Sequence, residues 1–179
     1  NMAAVSRLCS RAILLERGVL VADGPPDAVV AAYLRRDEAT AASREWPADA
    51  SAPSSGVVRL RAVRVRTERA GVTDSVDVRE PVAVEMEYEV LAPGRVLMPA
   101  FLFFNDAGVH LFSANHNDPA WRGRPRPPGR YLSTVWIPGN FLAEGRHLVD
   151  ALAFVLPPGS EPEFYQSRAV AFHAAEPEP

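Results

Sequence analysis

The densest set of side chains that can bind a polar ligand occupies residues 115–124. Its members combine amides, an imidazole, a carboxylate, guanidinium groups and an indole: Asn115, His116, Asn117, Asp118, Trp121, Arg122 and Arg124. The polar groups can hydrogen-bond hydroxyls, and the indole offers a flat apolar face. Trp121 follows the turn-forming pair Asp118-Pro119, which favours presentation at a surface. Alternatively, Trp121 closes an end of the fold and Asp118 only caps a turn, since large aromatic side chains usually pack.

Two tyrosines are further candidates for ligand contact. Tyr131 and Trp136 lie five positions apart on one predicted strand, so they point to opposite faces and only one can enter the core. We place Trp136 in the core, because it lies mid-strand beside Val135 and Ile137, and we place Tyr131 outside it. Tyr165 lies in the proline-rich approach to the last strand and is a second candidate for a surface aromatic residue.

Catalytic motifs are missing from this sequence. A phosphate-binding Gly-x-x-x-x-Gly-Lys-Ser/Thr loop needs a lysine, and all 19 basic residues are arginine. The four histidines are His110, His116, His147 and His173. None of them has the His-x-x-His or cysteine partners of a metal site, and Cys9 has no obvious base beside it. We therefore predict no catalytic residue, no metal site and no enzymatic activity in this chain.

Length and composition limit the class of protein. The 179 residues suit one domain with an appendage, and 47% of them are apolar, enough for a packed core. The net charge of −3 argues against a nucleic-acid partner. No apolar run reaches the ~20 residues that span a bilayer, so membrane association is expected only through a partner. The single cysteine excludes an intrachain disulfide and suits a reducing compartment.

The elements that must position these side chains are β-strands. From Val57 onward apolar and polar residues alternate, most clearly over residues 82–90, where glutamates fill the second face. Asn105-Asp106-Ala107-Gly108 predicts a hairpin turn. The other predicted strands cover residues 96–104, 109–114, 131–137, 147–156 and 168–174. About seven or eight strands over residues 57–175 predict a mainly β fold, a β-sandwich of immunoglobulin-like or jelly-roll type.

The first strand of this region carries a row of arginines: Arg59, Arg61, Arg64 and Arg66. Its apolar alternation changes phase near Ala62, which predicts a β-bulge. The bulge would point the two arginine pairs to different faces or redirect them. A solvated face is the expected role of the row, and an anionic-ligand or partner surface is the alternative.

Two less regular segments flank or interrupt the strands. Residues 37–56 are rich in Ala, Ser, Pro and Asp, which predicts a linker in which Trp46 is mobile, with docking of Trp46-Pro47 on a neighbouring surface as the alternative. Residues 138–145 predict a turn in which Asn140 adopts a positive φ, while Phe141 and Leu142 tuck beneath the sandwich. Residues 176–179 are assigned to a short tail.

Residues 1–36 follow a different pattern. A helix over residues 2–10, a strand at 12–16, Gly18, a strand at 19–22, the turn Asp23-Gly24-Pro25 and a helix over 26–36 follow one another. This order resembles the last segment of the nucleotide-binding domain of an ABC transporter, which would make these residues a short α/β remnant of such a domain. We expect the remnant to be loosely ordered alone, or to borrow contacts from a second chain.

The whole sequence resembles the C-terminal part of the ATP-binding subunit of polysaccharide ABC exporters of the O-antigen (Wzt) type. Residues 117–131, NDPAWRGRPRPPGRY, and 136–146, WIPGNFLAEGR, carry the resemblance together with the ATPase-like start. It implies a non-catalytic β-sandwich that binds the lipid-linked O-antigen glycan for export. It also implies a homodimer, able to exchange an edge strand, that meets a transmembrane permease through the parent subunit.

The resemblance has consequences for location and cofactors. It implies a cytoplasmic protein, peripheral on the inner face of the cytoplasmic membrane. ATP and magnesium would belong to another part of the parent subunit, and no cofactor is expected in this chain. Sugar recognition fits the candidate residues, since an aromatic ring stacks on pyranose C–H groups while polar side chains hydrogen-bond the hydroxyls.

Two other functions stay open at this point. One is a structural dimerisation domain of the same subunit that does not bind glycan. The other is a hydrolase or sugar-modifying enzyme fused to the ATPase. Such an enzyme would need paired carboxylates across a cleft, and Glu85, Glu87 and Glu89 instead share one face of one strand.

Overall fold

The computed structural model describes residues 5, 8–16, 18–26, 28–30, 42–47, 51–115, 118–156 and 161–176. Its strands, in chain order, are β1 (Ala12–Glu16), β2 (Val19–Gly24), β3 (Ser43–Glu45), β4 (Val58–Thr67), β5 (Gly71–Val72), β6 (Ser75–Asp77), β7 (Val82–Val90), β8 (Val96–Asn105), β9 (His110–Asn115), β10 (Gly129–Ile137), β11 (Gly145–Leu156) and β12 (Phe164–Ala175).

Strands β3 to β12 form a β-sandwich of two sheets. The first sheet has the order β10-β7-β4-β3, with β5 paired to the end of β4, and the second has the order β6-β12-β11-β8-β9. Pairing within both sheets is antiparallel, except that β6 runs parallel to β12. The mainly β class and the sandwich predicted from the alternation are therefore confirmed.

The core lies between the inner faces of the two sheets. Val84, Met86 and Tyr88 of β7 enter it from the first sheet, and Phe101 and Phe103 of β8 enter it from the second. Burial of apolar surface contributes about 25 cal/mol per Å² and is the main stabilising term for such a core. Because successive residues of a strand point to opposite faces, the polar residues between these positions are left on the outer faces.

Strand β4 contains the predicted bulge. Its register against β7 shifts between Leu60 and Ala62, which confirms the prediction from the change of phase. Ala62 and Val63 are both buried, so the alternation restarts one residue later. The arginines before and after the bulge consequently stay on the same outer face.

The outer face of the first sheet is a ladder of ion pairs. Arginines of β4 pair with glutamates of β7: Arg66 with Glu85 at 3.0 Å, Arg64 with Glu87 at 3.2 Å and Arg61 with Glu89 at 3.9 Å. Partly exposed pairs of this kind contribute ~0–1 kcal/mol each. The ladder offsets much of the positive charge of the arginine row.

Trp46 departs from the prediction for its segment. β3 pairs with β4, the Trp46 N–H donates to the Arg61 carbonyl oxygen at 2.8 Å, and the indole is 7% exposed in the core. The interpretation of Trp46 as a mobile linker residue is wrong. A strand of three residues is too short for alternation to appear in the sequence. The domain boundaries at residues 36 and 56 stay predictions.

The turn between β10 and β11 holds its residues as the sequence indicates, with one exception. Asn140 has the predicted positive φ, 59°, and its N–H donates to the Val78 carbonyl oxygen at 2.6 Å. Leu142 packs against the core as predicted. Phe141 is 58% exposed and meets Phe112 edge-on, so its predicted place beneath the sandwich is wrong. Leu142 takes the inward position beside it.

Strands β1 and β2 form a hairpin outside the sandwich. They pair with each other around Gly18, whose φ of 83° suits the tight turn, and so reproduce the predicted strand–glycine–strand order. Apolar side chains on this hairpin are exposed, among them Ile13, Leu15 and Val19. The predicted helices at 2–10 and 26–36 lie mostly outside the described residues. Within the described part of the chain, no helix has the length and apolarity to cross a bilayer.

Candidate functional site

The chain between β9 and β10 connects end strands of the two sheets and carries most of the candidate residues. In its described part, the Asp118 carboxylate accepts the Ala120 N–H at 2.8 Å, and the Asp118 carbonyl oxygen accepts the Trp121 N–H at 3.0 Å. The Arg124 N–H donates in turn to the Trp121 carbonyl oxygen at 3.1 Å. Asp118 does cap a turn, and the two linked turns fix the backbone on both sides of Trp121.

Trp121 packs against an aromatic cluster on the inner side of the loop. Its ring meets Tyr131 edge-on, with centroids 5.6 Å apart, and the Arg126 guanidinium lies 5.5 Å from the indole centroid. Tyr131 in turn stacks on Tyr88 at 5.8 Å and donates its hydroxyl hydrogen to the Pro127 carbonyl oxygen at 2.8 Å. The Tyr131 ring and the Arg126 guanidinium hold Trp121 in a half-buried position.

Asp118 lines two cavities. The first, of about 390 Å³, is lined by Val96, Leu97, Met98, Asn115, Asp118, Trp121, Arg122, Gly123, Arg126 and Leu156. The second, also about 390 Å³, is lined by Phe101, Ala114, Asn115, Asp118, Ser133, Thr134, Val135 and Trp136. Asn115 and Asp118 border both cavities, so the two form one bipartite site. We refer to them as the Trp121 cavity and the Trp136 cavity.

Each cavity combines one indole with polar groups. Trp121 lines one cavity and Trp136 the other, while Asn115 and Asp118 line both; the Asn115 amide can donate or accept hydrogen bonds, and the Asp118 carboxylate accepts them. Aromatic walls with a few placed polar groups are typical of small-ligand sites. Beneath the site, burial raises the pKa of Tyr88, and the positive charge of Arg126 opposes this rise.

Trp136 reverses the prediction for its strand. It is 46% exposed and lines a cavity, whereas Tyr131 points inward and packs against the core, so the placement of Trp136 in the core is wrong. The alternation itself contains the signal, because Val135 and Ile137 flank Trp136 and take the inward face. An apolar residue between two inward positions must point outward unless the strand bulges.

Comparison with solved structures supplies a relative for this architecture. One similar structure is the crystal structure of the C-terminal domain of Wzt, with a TM-score of 0.59 and 12% sequence identity, covering 79% of this chain and 85% of that chain. The chain has the Wzt C-terminal fold. The predicted resemblance to this type of domain is thereby confirmed at the level of the fold, which is what a likeness at this identity shows.

A second solved structure is similar to this chain only at a low TM-score. The CARDB domain of the PF1109 protein from Pyrococcus furiosus, solved in complex with di-metal ions, is 12% identical, with a TM-score of 0.39 over 69% of this chain and 99% of that chain. At that TM-score the likeness carries no argument. No protein-family model and no curated protein matches the sequence.

The Wzt-type sandwich brings together most of the candidate residues that the structure describes. Asn115, Asp118, Trp121 and Arg122 line the bipartite site, and Tyr131 supports it from the inner side. Arg124 is exposed and does not line either cavity. His116 and Asn117 lie outside the described residues. Sequence reasoning missed Trp136, Thr134, Ser133 and Arg126, and for Arg126 the sequence offers no signal beyond its place in a proline-rich turn.

Tyr165 lies in a separate concavity on the second sheet. Its hydroxyl donates to the Asp150 carboxylate, which is 2% exposed and also accepts the Arg168 N–H at 2.7 Å. Arg168 adopts a φ of 47° where the register of β11 and β12 shifts, so Asp150 stabilises the irregularity. Burial and the neighbouring carboxylate raise the pKa of Tyr165 to about 12. The small cavity here, about 200 Å³, is also lined by Phe104, Gly108, Leu148 and Ser167.

Metal binding has no support in the described residues. No group of three His, Cys, Asp or Glu side chains among them is placed to hold an ion. His147, for example, is buried, donates its Nε2–H to the Ala143 carbonyl oxygen at 2.9 Å and stacks on Phe172 at 5.2 Å. These contacts give His147 a packing role.

Proposed function

We propose that this chain is a glycan-binding module of the ATP-binding subunit of a polysaccharide ABC exporter. One observation carries the proposal: two cavities share Asn115 and Asp118 as lining residues, and one is also lined by Trp121 and the other by Trp136. Indole rings stack on the C–H faces of pyranose rings, and the carboxylate and amide between them suit sugar hydroxyls. Two cavities side by side suit two successive residues of a saccharide chain.

The exporter context is supported by two further observations. The sandwich has the fold of the Wzt C-terminal domain. The β1–β2 hairpin exposes Ile13, Leu15 and Val19, apolar residues that a larger ATPase domain would cover. On this proposal the parent subunit is a homodimer at the cytoplasmic face of the membrane. It presents the terminal part of a lipid-linked O-antigen glycan to a transmembrane permease, and the module itself is non-catalytic.

Binding to a glycan array tests the proposal. We expect the chain to bind a restricted set of saccharides, and expect Trp121→Ala and Trp136→Ala each to weaken binding by tenfold or more, about the loss seen at aromatic hot spots. Phe141→Ala is the matched control, since Phe141 is 58% exposed and lines neither cavity. Equal loss in Phe141→Ala, or saccharide binding that survives both tryptophan variants, would contradict the assignment of this site.

The second candidate function is dimerisation without glycan binding. Val109 and Leu111, exposed just before and within end strand β9, favour it, because β9 pairs with β8 along one edge only, and in the described part of the chain its other edge meets no strand and can pair with a second copy. Sedimentation of the same chain separates the two functions. A tight dimer that binds no saccharide on the array would replace the glycan proposal by the structural one.

A further inference from the structure

Arg126 is a buried cation at the base of the Trp121 cavity. It is 1% exposed, and its Nη1 donates to the Leu97 carbonyl oxygen at 2.7 Å. Its Nε is buried and has no hydrogen-bond partner within the described part of the chain. Nor does any described carboxylate form an ion pair with it. A buried charge is unfavourable unless paired and hydrogen-bonded, so this guanidinium retains unused capacity to bind an anion.

Three aromatic rings hold the Arg126 guanidinium in place. Its central carbon lies 5.5 Å from the Trp121 centroid, 5.9 Å from that of Tyr131 and 6.0 Å from that of Tyr88. Cation–π contacts of this kind stabilise a desolvated guanidinium and leave its planar N–H groups available. The cation is therefore pre-organised, with little conformational freedom to lose when a ligand binds.

The Trp121 cavity also has a net positive lining. Among the lining residues that the structure describes, Arg126 and the exposed Arg122 contribute two positive charges and Asp118 contributes one negative charge, which leaves one positive charge. Asp118 also borders the Trp136 cavity, where no arginine is among the lining residues. The two halves of the site thus differ in charge, one suited to an anionic group and the other to neutral hydroxyls.

We infer that the glycan is acidic, and that Arg126, assisted by Arg122, binds a carboxylate or phosphate on the sugar residue in the Trp121 cavity. This inference rests on the proposed function and narrows its ligand class. A carboxylate or phosphate accepts two N–H bonds from a guanidinium, which is the geometry that arginine offers and lysine does not. Uronic acids and sugar phosphates both carry the required chemistry.

The first arm of the test varies the charge of the saccharide and measures its binding to the unmodified chain. Acidic oligosaccharides on the array are compared with their carboxyl-reduced or dephosphorylated counterparts of the same linkage. We expect binding of the acidic form to exceed that of its neutral counterpart by about tenfold or more, as for loss of a charge-assisted hydrogen bond. Which of the two acidic sets binds distinguishes carboxylate from phosphate. Equal binding of charged and neutral forms would overturn the inference and leave glycan binding intact, whereas no binding by any saccharide would overturn both.

Variants give the second arm. Arg126→Gln should lose about tenfold in affinity for the acidic saccharide and little for its neutral counterpart. Arg122→Gln, at an exposed position, should show a smaller loss of the same selectivity and keeps the test informative if Arg126→Gln does not fold. Arg124→Gln removes the same charge at an exposed neighbour outside both cavities and should bind like the parent. A selectivity unchanged in Arg122→Gln, or lost equally in Arg124→Gln, would contradict a specific role for the cavity arginines.

Discussion

At the residue scale, Trp121 and Trp136 differ in how much of each side chain is buried against the rest of the protein. Trp121 is half-buried; its ring meets the Tyr131 ring edge-on and lies against the Arg126 guanidinium. Trp136 is 46% exposed on the outer face of an end strand. A ligand that occupies both cavities would therefore contact Trp121, which its neighbours hold in place, and Trp136, which is more exposed. The two residues allow binding and stability to be separated experimentally.

Trp136→Ala should weaken saccharide binding with little effect on folding. Because the side chain is largely exposed, we expect the free energy of unfolding to change by less than about 1 kcal/mol, whereas Trp121→Ala should cost more through lost ring contacts. Urea denaturation of both variants measures this difference. A large destabilisation by Trp136→Ala would show that its indole serves packing after all.

Tyr165 should make stability depend on alkaline pH. Its pKa is raised to about 12 by burial and by Asp150, above the ordinary value near 10, so folding favours the protonated phenol. The corresponding stabilisation is fully present below about pH 10 and is lost as pH rises towards the folded-state pKa.

Urea denaturation at a series of alkaline pH values should show a shallower decline of the free energy of unfolding for Tyr165→Phe than for the parent. Tyr88, whose pKa burial also raises, contributes to the decline that remains in Tyr165→Phe. Identical pH profiles for the two proteins would contradict this account.

At the element scale, the bulge in β4 and the turn before β11 set which side chains reach which face. The bulge between Leu60 and Ala62 keeps the arginine row on one face. The turn before β11 approaches the segment after β6 closely, since the Asn140 N–H donates to the Val78 carbonyl oxygen. Such close backbone approach depends on the absence of a side chain at the neighbouring glycine.

Gly139→Ala should destabilise the sandwich. A Cβ at this position would lie 2.1 Å from the Arg79 carbonyl oxygen, so the backbone must shift, at a cost of about 1–3 kcal/mol as for other overpacked sites. Gly56→Ala is the control, because Gly56 has open space around it and no positive φ. Thermal unfolding should show a clear loss for the first variant and none for the second. Equal melting temperatures for the two variants would refute the close approach.

The long strands were predictable because their alternation extends over many residues. Val82–Val90 shows it over nine residues, and the change of phase near Ala62 was enough to locate a bulge. Trp46 was not predictable, because β3 is only three residues long and its burial depends on a partner strand far along the chain. Arg126 was not predictable either, since its three rings come from residues at separations from 5 to 38 positions that only the fold brings together.

At the scale of the whole molecule, the β1–β2 hairpin forms a sheet of its own, and no strand of the sandwich pairs with it in the described residues. β1 and β2 pair with each other, while β3 continues the first sheet of the sandwich. Trp46, directly after β3, contributes its indole to the core. The sandwich that can fold alone is therefore expected to begin near Ala42, which is also buried in the core.

Shortened chains test this boundary. A chain beginning at Ala42 should retain the stability of the sandwich within about 1 kcal/mol, since no sheet pairing of the sandwich is lost. A chain beginning at Ser51 loses β3 and Trp46 and should be less stable by about 3–5 kcal/mol, as for removal of a buried aromatic side chain. Urea denaturation of the two chains provides the comparison, with Trp46→Ala in the longer chain as a control. Equal stability of the two chains would show that β3 and Trp46 are dispensable.

The central claim is that a saccharide occupies the bipartite site, and the indole N–H resonances test it most directly. The chain has three tryptophans, of which Trp46 is buried in the core and Trp121 and Trp136 line the two cavities. During NMR titration with a saccharide identified on the array, we expect the Trp121 and Trp136 resonances to shift with one common midpoint. The Trp46 resonance should stay in place and serves as an internal control. Saccharide binding that leaves both cavity tryptophans unshifted would contradict the account.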